Sequence, residues 1–478
     1  METLHPGLYL QEIKGEVPIE GVSTSVGAFV GTAVKGDIGK SNIVTSWTDF
    51  VSKYGGFDVN SYLAYAVKGF FENGGSRAYI SRVVKTNGGV KTSKKSSASV
   101  GGESPYLLLE AKTDGTDGDK YVGIISNVNE DSKRFDLSVE YEGNVVEVVK
   151  GVTIGELESQ VLKHIDATAI LDDATPIAGR YKFEGGDNGI VGITGLDYVG
   201  DEVKKTGIFA FGKDRINMLA VPGITDVAVH KAISDYVDNR KDCIAILETP
   251  MNLDVVTAKD YKLKEANLSS PNVAIFYPWG NVSDPIGFGN NPTKLVPPSG
   301  HIMGVYARTD AERGVFKAPA GVDAKVRGFL SLEVNVEDEE QDLLNPIGVN
   351  AIRSFEGEGI IIWGARSTQP DGEYRYISVR RTLLYINQSV LSSTRWAVFE
   401  PNDRVLWGKV KTAIENFLRG FWQSGGLKGK DESEAFFVQV DENTTSQDEI
   451  DLGKLNAHYG VSPQKPAEFI VFKVSLRK

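Results

Sequence analysis

The chain has 478 residues, more than one hydrophobic core usually supports, so roughly two to four domains are expected. Its 41% hydrophobic content is typical of a globular protein, and its net charge of −12 argues against a surface that binds nucleic acid or anionic membranes. The single cysteine, Cys243, excludes an intramolecular disulfide and fits a reducing compartment.

Neither a membrane span nor a secretory signal is expected. No apolar run approaches the roughly 20 residues that are needed to cross a bilayer. The first residues lack the basic segment followed by an apolar stretch that marks a secretory signal. Delivery outside the cell of origin would therefore depend on lysis or on release of a whole particle.

The first 90 residues predict an extended segment followed by strands and a helix. Residues 8–10 follow a Pro-Gly pair and alternate as Leu, Tyr and Leu, which suits an extended arm. The apolar runs at 26–34 and 78–84 predict two buried strands. Between them, residues 59–73 place apolar side chains at helical spacing, and Asn60 is the predicted N-cap.

The composition changes after residue 85. Residues 86–105 are rich in Gly, Ser and Lys, which predicts a flexible linker or loop. The alternating segments at 135–141 and 145–149 then predict a β-rich region that ends at the glycine-rich turn 185–189. We interpret this region as an insertion.

An α/β pattern follows the insertion. Residues 216–221, 243–247 and 273–277 are short apolar runs that predict strands. Thr225 or Asp226 can cap a helix between the first two runs, because apolar residues recur on one face after it. Strands that alternate with a helix predict a partly parallel sheet.

The C-terminal third is also predicted to be α/β. Residues 359–363 and 396–399 predict strands. Residues 405–423 carry a continuous apolar stripe and predict the clearest helix in the chain. After an acidic loop over 441–451, residues 468–474 predict a last strand.

The strongest candidate for catalytic chemistry is the sequence GDIGKS at residues 36–41. A phosphate-binding loop requires a glycine five residues before Gly39, but Val34 stands there, so a polar turn is the simpler interpretation. A nucleotide-dependent α/β enzyme that uses this loop remains the alternative. The acidic run 337–342 lacks the ligand spacing of a Ca²⁺ loop and predicts a solvated turn.

Other chemistry-bearing residues are scattered. The histidines lack the pairing of a zinc site, and Cys243 lies within an apolar run that predicts a core position. We therefore expect no enzymatic activity, no catalytic residue, no cofactor and no metal. The histidines are His5, His164, His230, His301 and His458.

Several ordered motifs closely resemble the contractile tail sheath family of myophages, R-type tailocins and related contractile injection systems. The opening HPGLYLQEI is one, and the C-terminal third contributes NAIRSFEGEG, RWAVFEPNDRVLW and KPAEFIVFKVSLRK. Further matching segments lie at 18–33, 61–75, 296–321 and 344–355. Residues 86–190 carry little of the pattern.

The resemblance implies a structural protein that forms a helical homo-oligomer of stacked hexameric rings around an inner tube. Such a sheath shortens from a metastable extended state and drives the tube through a target envelope. The implied partners are other copies of the chain, the inner tube protein, and baseplate and tail terminator proteins, with no nucleic acid. The implied location is a phage tail or phage-tail-like particle that is assembled in the bacterial cytoplasm and released by lysis.

The fold class predicted from the pattern and the resemblance is multidomain α/β (mixed α+β), with a β-rich insertion and extended terminal arms that pair with neighbouring subunits. The expected segments are an N-terminal arm over 1–20, a middle α/β domain over 21–90 and 190–345, an outward β-rich insertion over 91–189, an inner α/β domain that faces the tube over 346–460, and a C-terminal strand arm over 461–478.

Two sets of contact residues follow from this interpretation. A chain end that adds a strand to another subunit contributes backbone hydrogen bonds and apolar side chains. The alternative is that both ends pair within their own subunit. The arm contact residues are Leu8, Tyr9, Leu10, Glu12, Glu468, Phe469, Ile470, Val471 and Phe472.

The helix over 405–423 is the candidate tube-facing element, because Lys409, Lys411 and Arg419 accompany its apolar stripe. The alternative is an ordinary solvated polar face. A third reading of the whole chain, a secreted surface-binding module, is opposed by the lack of a predicted secretion signal.

Overall fold

The computed structural model describes residues 18–102 and 104–469. The chain forms two compact units. The large unit contains residues 24–312 and 318–377, and the small unit contains the described parts of 1–23, 313–317 and 378–478.

The large unit begins with the two predicted strands and the predicted helix, together with one strand (Ser41–Val44) and one helix (Trp47–Tyr54) that were not predicted. The helix predicted over 59–73 is shorter, because the Asp58 carboxylate accepts a hydrogen bond from the Asn60 backbone N–H and forms a turn there, which leaves Tyr62 as the N-cap. The elements are β1 (Gly27–Gly31), β2 (Ser41–Val44), α1 (Trp47–Tyr54), α2 (Leu63–Glu72) and β3 (Ala78–Arg82).

The region after β3 has the predicted β-rich character, with its own core around Phe135, Leu137 and Phe183. The prediction of a flexible linker over 86–105 is wrong, because this segment contains strands whose alternate side chains, including Val100, are buried. The elements are β4 (Thr86–Asn87), β5 (Val90–Lys91), β6 (Lys95–Val100), β7 (Leu107–Asp114), β8 (Tyr121–Asn129), β9 (Arg134–Tyr141), β10 (Asn144–Val152), α3 (Ile154–Glu158), β11 (Ile165–Ala169) and β12 (Gly179–Lys182).

The middle of the large unit confirms the predicted alternation of strands and helices. The Asp226 carboxylate accepts hydrogen bonds from the Ala228 and Val229 backbone N–H groups and is the N-cap of the predicted helix. The elements are α4 (Gly195–Val199), β13 (Met218–Ala220), α5 (Val227–Arg240), β14 (Ile244–Glu248), α6 (Val255–Asp260) and β15 (Val273–Tyr277).

The acidic turn predicted over 337–342 is instead a helix. Glu337 and Glu340 form a capping box, and acidic side chains in the first turn are favourable near the positive end of the helix dipole. The elements of this segment are β16 (Gly280–Ser283), β17 (Thr293–Val296), α7 (Ser299–Arg313), β18 (Ser331–Leu332), α8 (Asp338–Leu344), β19 (Val349–Phe355) and β20 (Gly359–Ile362).

The central sheet of the large unit has eight strands in the order β2-β3-β1-β13-β14-β15-β19-β20. Its inner pairs are parallel, and only the edge strands β2 and β20 pair antiparallel, which confirms a partly parallel sheet. Because β19 pairs with β15 in this sheet, residues 346–377 belong to the large unit and not to a C-terminal domain that starts at 346.

The small unit is built around helix α10, which confirms the helix predicted over 405–423. The strand predicted over 396–399 is wrong, because the backbone there closes on itself in a 3₁₀ turn over Arg395–Ala397. The elements are α9 (Ile377–Ser393), α10 (Arg404–Gln423), α11 (Glu432–Ala435), β21 (Phe436–Gln439), α12 (Gln447–Asp451) and β22 (His458–Val461).

Candidate inter-subunit docking site

The small unit carries a two-stranded antiparallel sheet, which we call the ribbon, formed by β21 and β22. The strands pair from Phe436–Val461 to Gln439–His458. Among the described residues each strand has only the other as a hydrogen-bonded neighbour, so each has one open edge. A two-stranded sheet is marginal alone and gains stability from packing or from further strands.

Packing fixes one face of the ribbon. Phe436 and Val438 are buried in the core formed with α10, whereas Phe437 between them is 60% exposed. The Tyr459 hydroxyl donates a hydrogen bond to Asn387 Oδ1 on α9 at 2.7 Å, and burial raises the pKa of this tyrosine. The ribbon is therefore anchored from behind, with its edges and the Phe437 ring turned away from the core.

The start of the described chain is tied to α9 in the same unit. The Glu20 and Val22 backbone N–H groups donate to the hydroxyls of Ser393 and Ser389, at 3.1 and 3.2 Å. Between them, Gly21 lies so close to the Tyr385 hydroxyl that a Cβ would collide with it. Residues 20–22 are therefore held against α9.

The end of the described chain also leaves from this unit. Just past β22, Pro463 forms a single bridge with Leu427, and the Gln464 amide donates to the Leu427 carbonyl at 3.1 Å. The predicted contact residues Glu468 and Phe469 lie outside any strand here, and Phe469 is 76% exposed. The other predicted arm residues, Leu8, Tyr9, Leu10, Glu12, Ile470, Val471 and Phe472, lie outside the described residues.

The three predicted tube-facing cations on α10 do not form one patch. Arg419 makes a two-pronged ion pair with Glu432, with both N···O distances at 2.8 Å, and Lys411 lies 3.8 Å from Glu415. Lys409 is exposed and has no ion-pair partner among the described residues. Lys409 and Lys411 also point in different directions, because residues two apart do not share a helix face.

The residues considered for catalysis are not arranged for it. Residues 36–41 form a bend that leads into β2, whereas a phosphate loop opens a helix. Cys243 is fully buried, and burial raises the pKa of its thiol, so it stays protonated. Within 18–102 and 104–469 there is no group of three or more His, Cys, Asp or Glu side chains that could hold a metal ion. No helix in those ranges combines the length and apolar character needed to cross a bilayer.

The ribbon itself was not predicted from the sequence. Its strands are four residues long, which is too short for periodicity to distinguish them from other apolar segments. The sequence there shows only a short apolar run from Phe436 to Val438, and the alternate burial of Phe436, Val438 and Val440 is seen in the structure alone.

Two family models match the chain over more than half its length. The model described as phage tail sheath protein central domain matches residues 192–368, and the model described as phage tail sheath C-terminal domain matches residues 369–477. The C-terminal match contains the ribbon, α9 and α10.

Curated relatives and solved structures agree with these matches. The tail sheath protein of Vibrio phage KVP40 is 27% identical over 63% of this chain and 47% of its own length. A putative prophage major tail sheath protein of Pseudomonas aeruginosa is 26% identical over 57% of this chain and 69% of its own. The chain thus spans about half the length of the KVP40 relative. The helical sheath of the anti-feeding prophage in its contracted state has a TM-score of 0.61 at 25% identity, covering 99% of each chain.

Proposed function

Since the chain belongs to the phage tail sheath family, we propose that it is a structural subunit that polymerises with copies of itself as stacked hexameric rings around an inner tube. The observation that carries this proposal is the content of the small unit. The anchor of the N-terminal segment, the exit of the C-terminal segment and the two-edged ribbon all belong to that one unit.

The ribbon is the proposed acceptor for the terminal arms of neighbouring copies. A four-residue edge presents about four backbone hydrogen-bonding groups, so an added strand would contribute roughly 2–6 kcal/mol at about 0.5–1.5 kcal/mol per bond. One such contact is weak, but every copy in a sleeve would give its arms and receive those of others. Copies would then be connected through paired strands, and the segments that lead to these strands would allow the copies to move relative to one another.

Contraction follows from this arrangement as a rigid-body change. The packed cores of the units would keep their structure, while the arms hold the copies together during the change of lattice. In this proposal a baseplate triggers the shortening of a metastable extended sheath, and the tube is driven through a target envelope. The chain contributes lattice contacts and no covalent chemistry, in a particle assembled in the bacterial cytoplasm and released by lysis.

Orientation within the sleeve is a further part of the proposal. The small unit would lie innermost with α10 toward the tube, and the β-rich insertion would point outward. Lys409 supports this orientation best, because its charge is not neutralised by an ion pair within the described chain. Arg419 is held by Glu432 and acts first within its own subunit.

The test is negative-stain electron microscopy of the purified chain beside a variant that lacks residues 1–15, each with and without the cognate tube protein. Circular dichroism of both proteins controls for folding. We expect hollow striated sleeves from the full chain and discrete particles from the truncated one. Discrete particles from the full chain, even with the tube present, would contradict the proposal.

A further inference from the structure

Phe399 combines full exposure with an unusual backbone. Phe399 is fully exposed, and its φ of 70° places a bulky residue in the left-handed region. Such a backbone is disfavoured for residues other than glycine, asparagine and aspartate. Val398 and Val405, on either side in sequence, are each 63% exposed.

The loop that carries Phe399, residues 394–403, is firmly held. Two backbone hydrogen bonds close it on itself before Phe399, from Ala397 to Thr394 and from Val398 to Arg395, at 3.0 and 3.2 Å. After Phe399, the Asn402 side chain both donates and accepts a hydrogen bond. Its amide donates to the Lys454 carbonyl, and its oxygen accepts from the Trp407 indole, both at 2.8 Å. The surrounding structure therefore imposes the conformation that presents the ring to solvent.

These attachments also locate the loop. Lys454 lies four residues before β22 begins, and Glu442, which pairs with Arg404 next to the loop, lies three residues after β21 ends. Both belong to the segment that connects the two strands. The loop therefore contacts the segment at one end of the ribbon, next to the strand edges at which the proposed function places the arms of neighbouring copies.

We propose that Phe399, with Val398 and Val405, is an apolar anchor that docks onto a second copy of this chain beside the ribbon. This inference rests on the proposed function. A rigidly presented aromatic side chain with polar neighbours such as Glu400 and Asp403 has the make-up of an interface anchor with its rim. Exposure of the ring and strain of its backbone are unfavourable in the isolated chain, and burial against another copy would offset both.

A second copy is favoured over the tube as the partner because the loop contacts the segment at one end of the ribbon. Arm exchange brings a neighbouring chain to the ribbon. Phe399, whose loop is bonded to the segment that connects the ribbon strands, would contact that same neighbouring chain. The contact is between two different surfaces of the chain, which is the type of contact that propagates into helical assemblies.

The test compares Phe399→Asn with Phe288→Asn in the full chain. Asparagine tolerates the left-handed backbone, so the first variant removes the ring without adding strain. Phe288, in the loop between β16 and β17, is 100% exposed and provides a matched control. A third variant, Phe399→Tyr, keeps the ring.

We expect equal melting temperatures for all isolated chains. The concentration needed for sleeves should rise at least tenfold for Phe399→Asn and stay unchanged for Phe288→Asn and Phe399→Tyr. Normal sleeves from Phe399→Asn, or an equal loss in both asparagine variants, would overturn the anchor. Loss of tube binding alone, with normal sleeves, would also overturn it and assign the contact to the tube. Absence of sleeves from the unaltered chain, with and without tube, would instead overturn the proposed function and the anchor with it.

Discussion

Glu248→Gln should remove the pH dependence that the buried Glu248 carboxyl gives to the stability of the large unit. Glu248 ends β14 and is 1% exposed, and one of its carboxyl oxygens accepts a hydrogen bond from the Gly223 N–H at 2.6 Å. Burial raises the pKa of Glu248 from 4.5 to about 7. The folded chain therefore keeps this proton over a pH range in which the unfolded chain has lost it.

The sign of the effect follows from that difference. A raised carboxyl pKa stabilises the folded state fully below pH 4.5, and this contribution is lost as pH rises toward 7. A shift of about 2.5 units at about 1.36 kcal/mol per unit gives a loss of roughly 3 kcal/mol between pH 4.5 and 8. Glutamine keeps the shape and an accepting oxygen but does not ionise.

The assay is urea unfolding of both proteins at pH 5 and pH 8. Tryptophan fluorescence is a suitable probe, because the Trp279 indole donates to the Thr249 carbonyl beside Glu248 at 2.7 Å. We expect similar stability at pH 5 and a variant that is more stable by about 2–4 kcal/mol at pH 8, as the pKa shift dictates. A difference in stability between the two proteins that does not change with pH would show that Glu248 does not cause this pH dependence.

Three further predictions concern α10. Gly420→Ala should raise the free energy of unfolding of the small unit by about 0.5–1 kcal/mol, because a Cβ there would have no atom within 4 Å. Urea unfolding measures this change, and a lower free energy of unfolding would contradict it. Asp403→Ala should lower it by about 1 kcal/mol, because the carboxylate caps the helix, and an unchanged midpoint would contradict this. Lys409→Glu should reduce co-sedimentation with tubes, while Lys428→Glu, at another exposed position, should not; equal binding by both variants would contradict a tube-facing α10.

The sequence was most informative where one local signal agreed with the final packing. Residues 273–277 form β15 with the predicted bounds, because a continuous apolar run suits a strand that is buried on both faces. The start of α5 was predicted at Thr225 or Asp226, and the Asp226 carboxylate accepts hydrogen bonds from the first free N–H groups of the helix. In both cases the decisive interactions lie within a few residues of one another.

The failures occurred where tertiary contacts decided the outcome. Gly, Ser and Lys in residues 86–105 concealed the alternation that buries Ala98 and Val100 in β6. The apolar residues 396–399 resemble a strand, but no strand within 18–102 or 104–469 pairs with them, and Val398 and Phe399 face solvent. The left-handed backbone of Phe399 leaves no trace in composition or spacing.

The ribbon was not predicted from the sequence. The assignment of the chain ends as arms came from the resemblance and stays a prediction, and the ribbon is the acceptor that we propose for them. Its two strands are separated by 18 residues, and the packing on α9 and α10 that accompanies their pairing is a tertiary contact. The spacing of the cations on α10 also could not reveal that Arg419 forms an ion pair with Glu432.

Photo-crosslinking from the ribbon tests the exchange of arms between copies most directly. A photoreactive benzoylphenylalanine replaces exposed Phe437, and sleeves are formed from two differently tagged versions of the chain. The same substitution at Phe288 is the control. We expect crosslinks that join position 437 of one copy to residues 1–17 or 470–478 of the other. Crosslinks from position 437 to the arms of its own copy alone would contradict it.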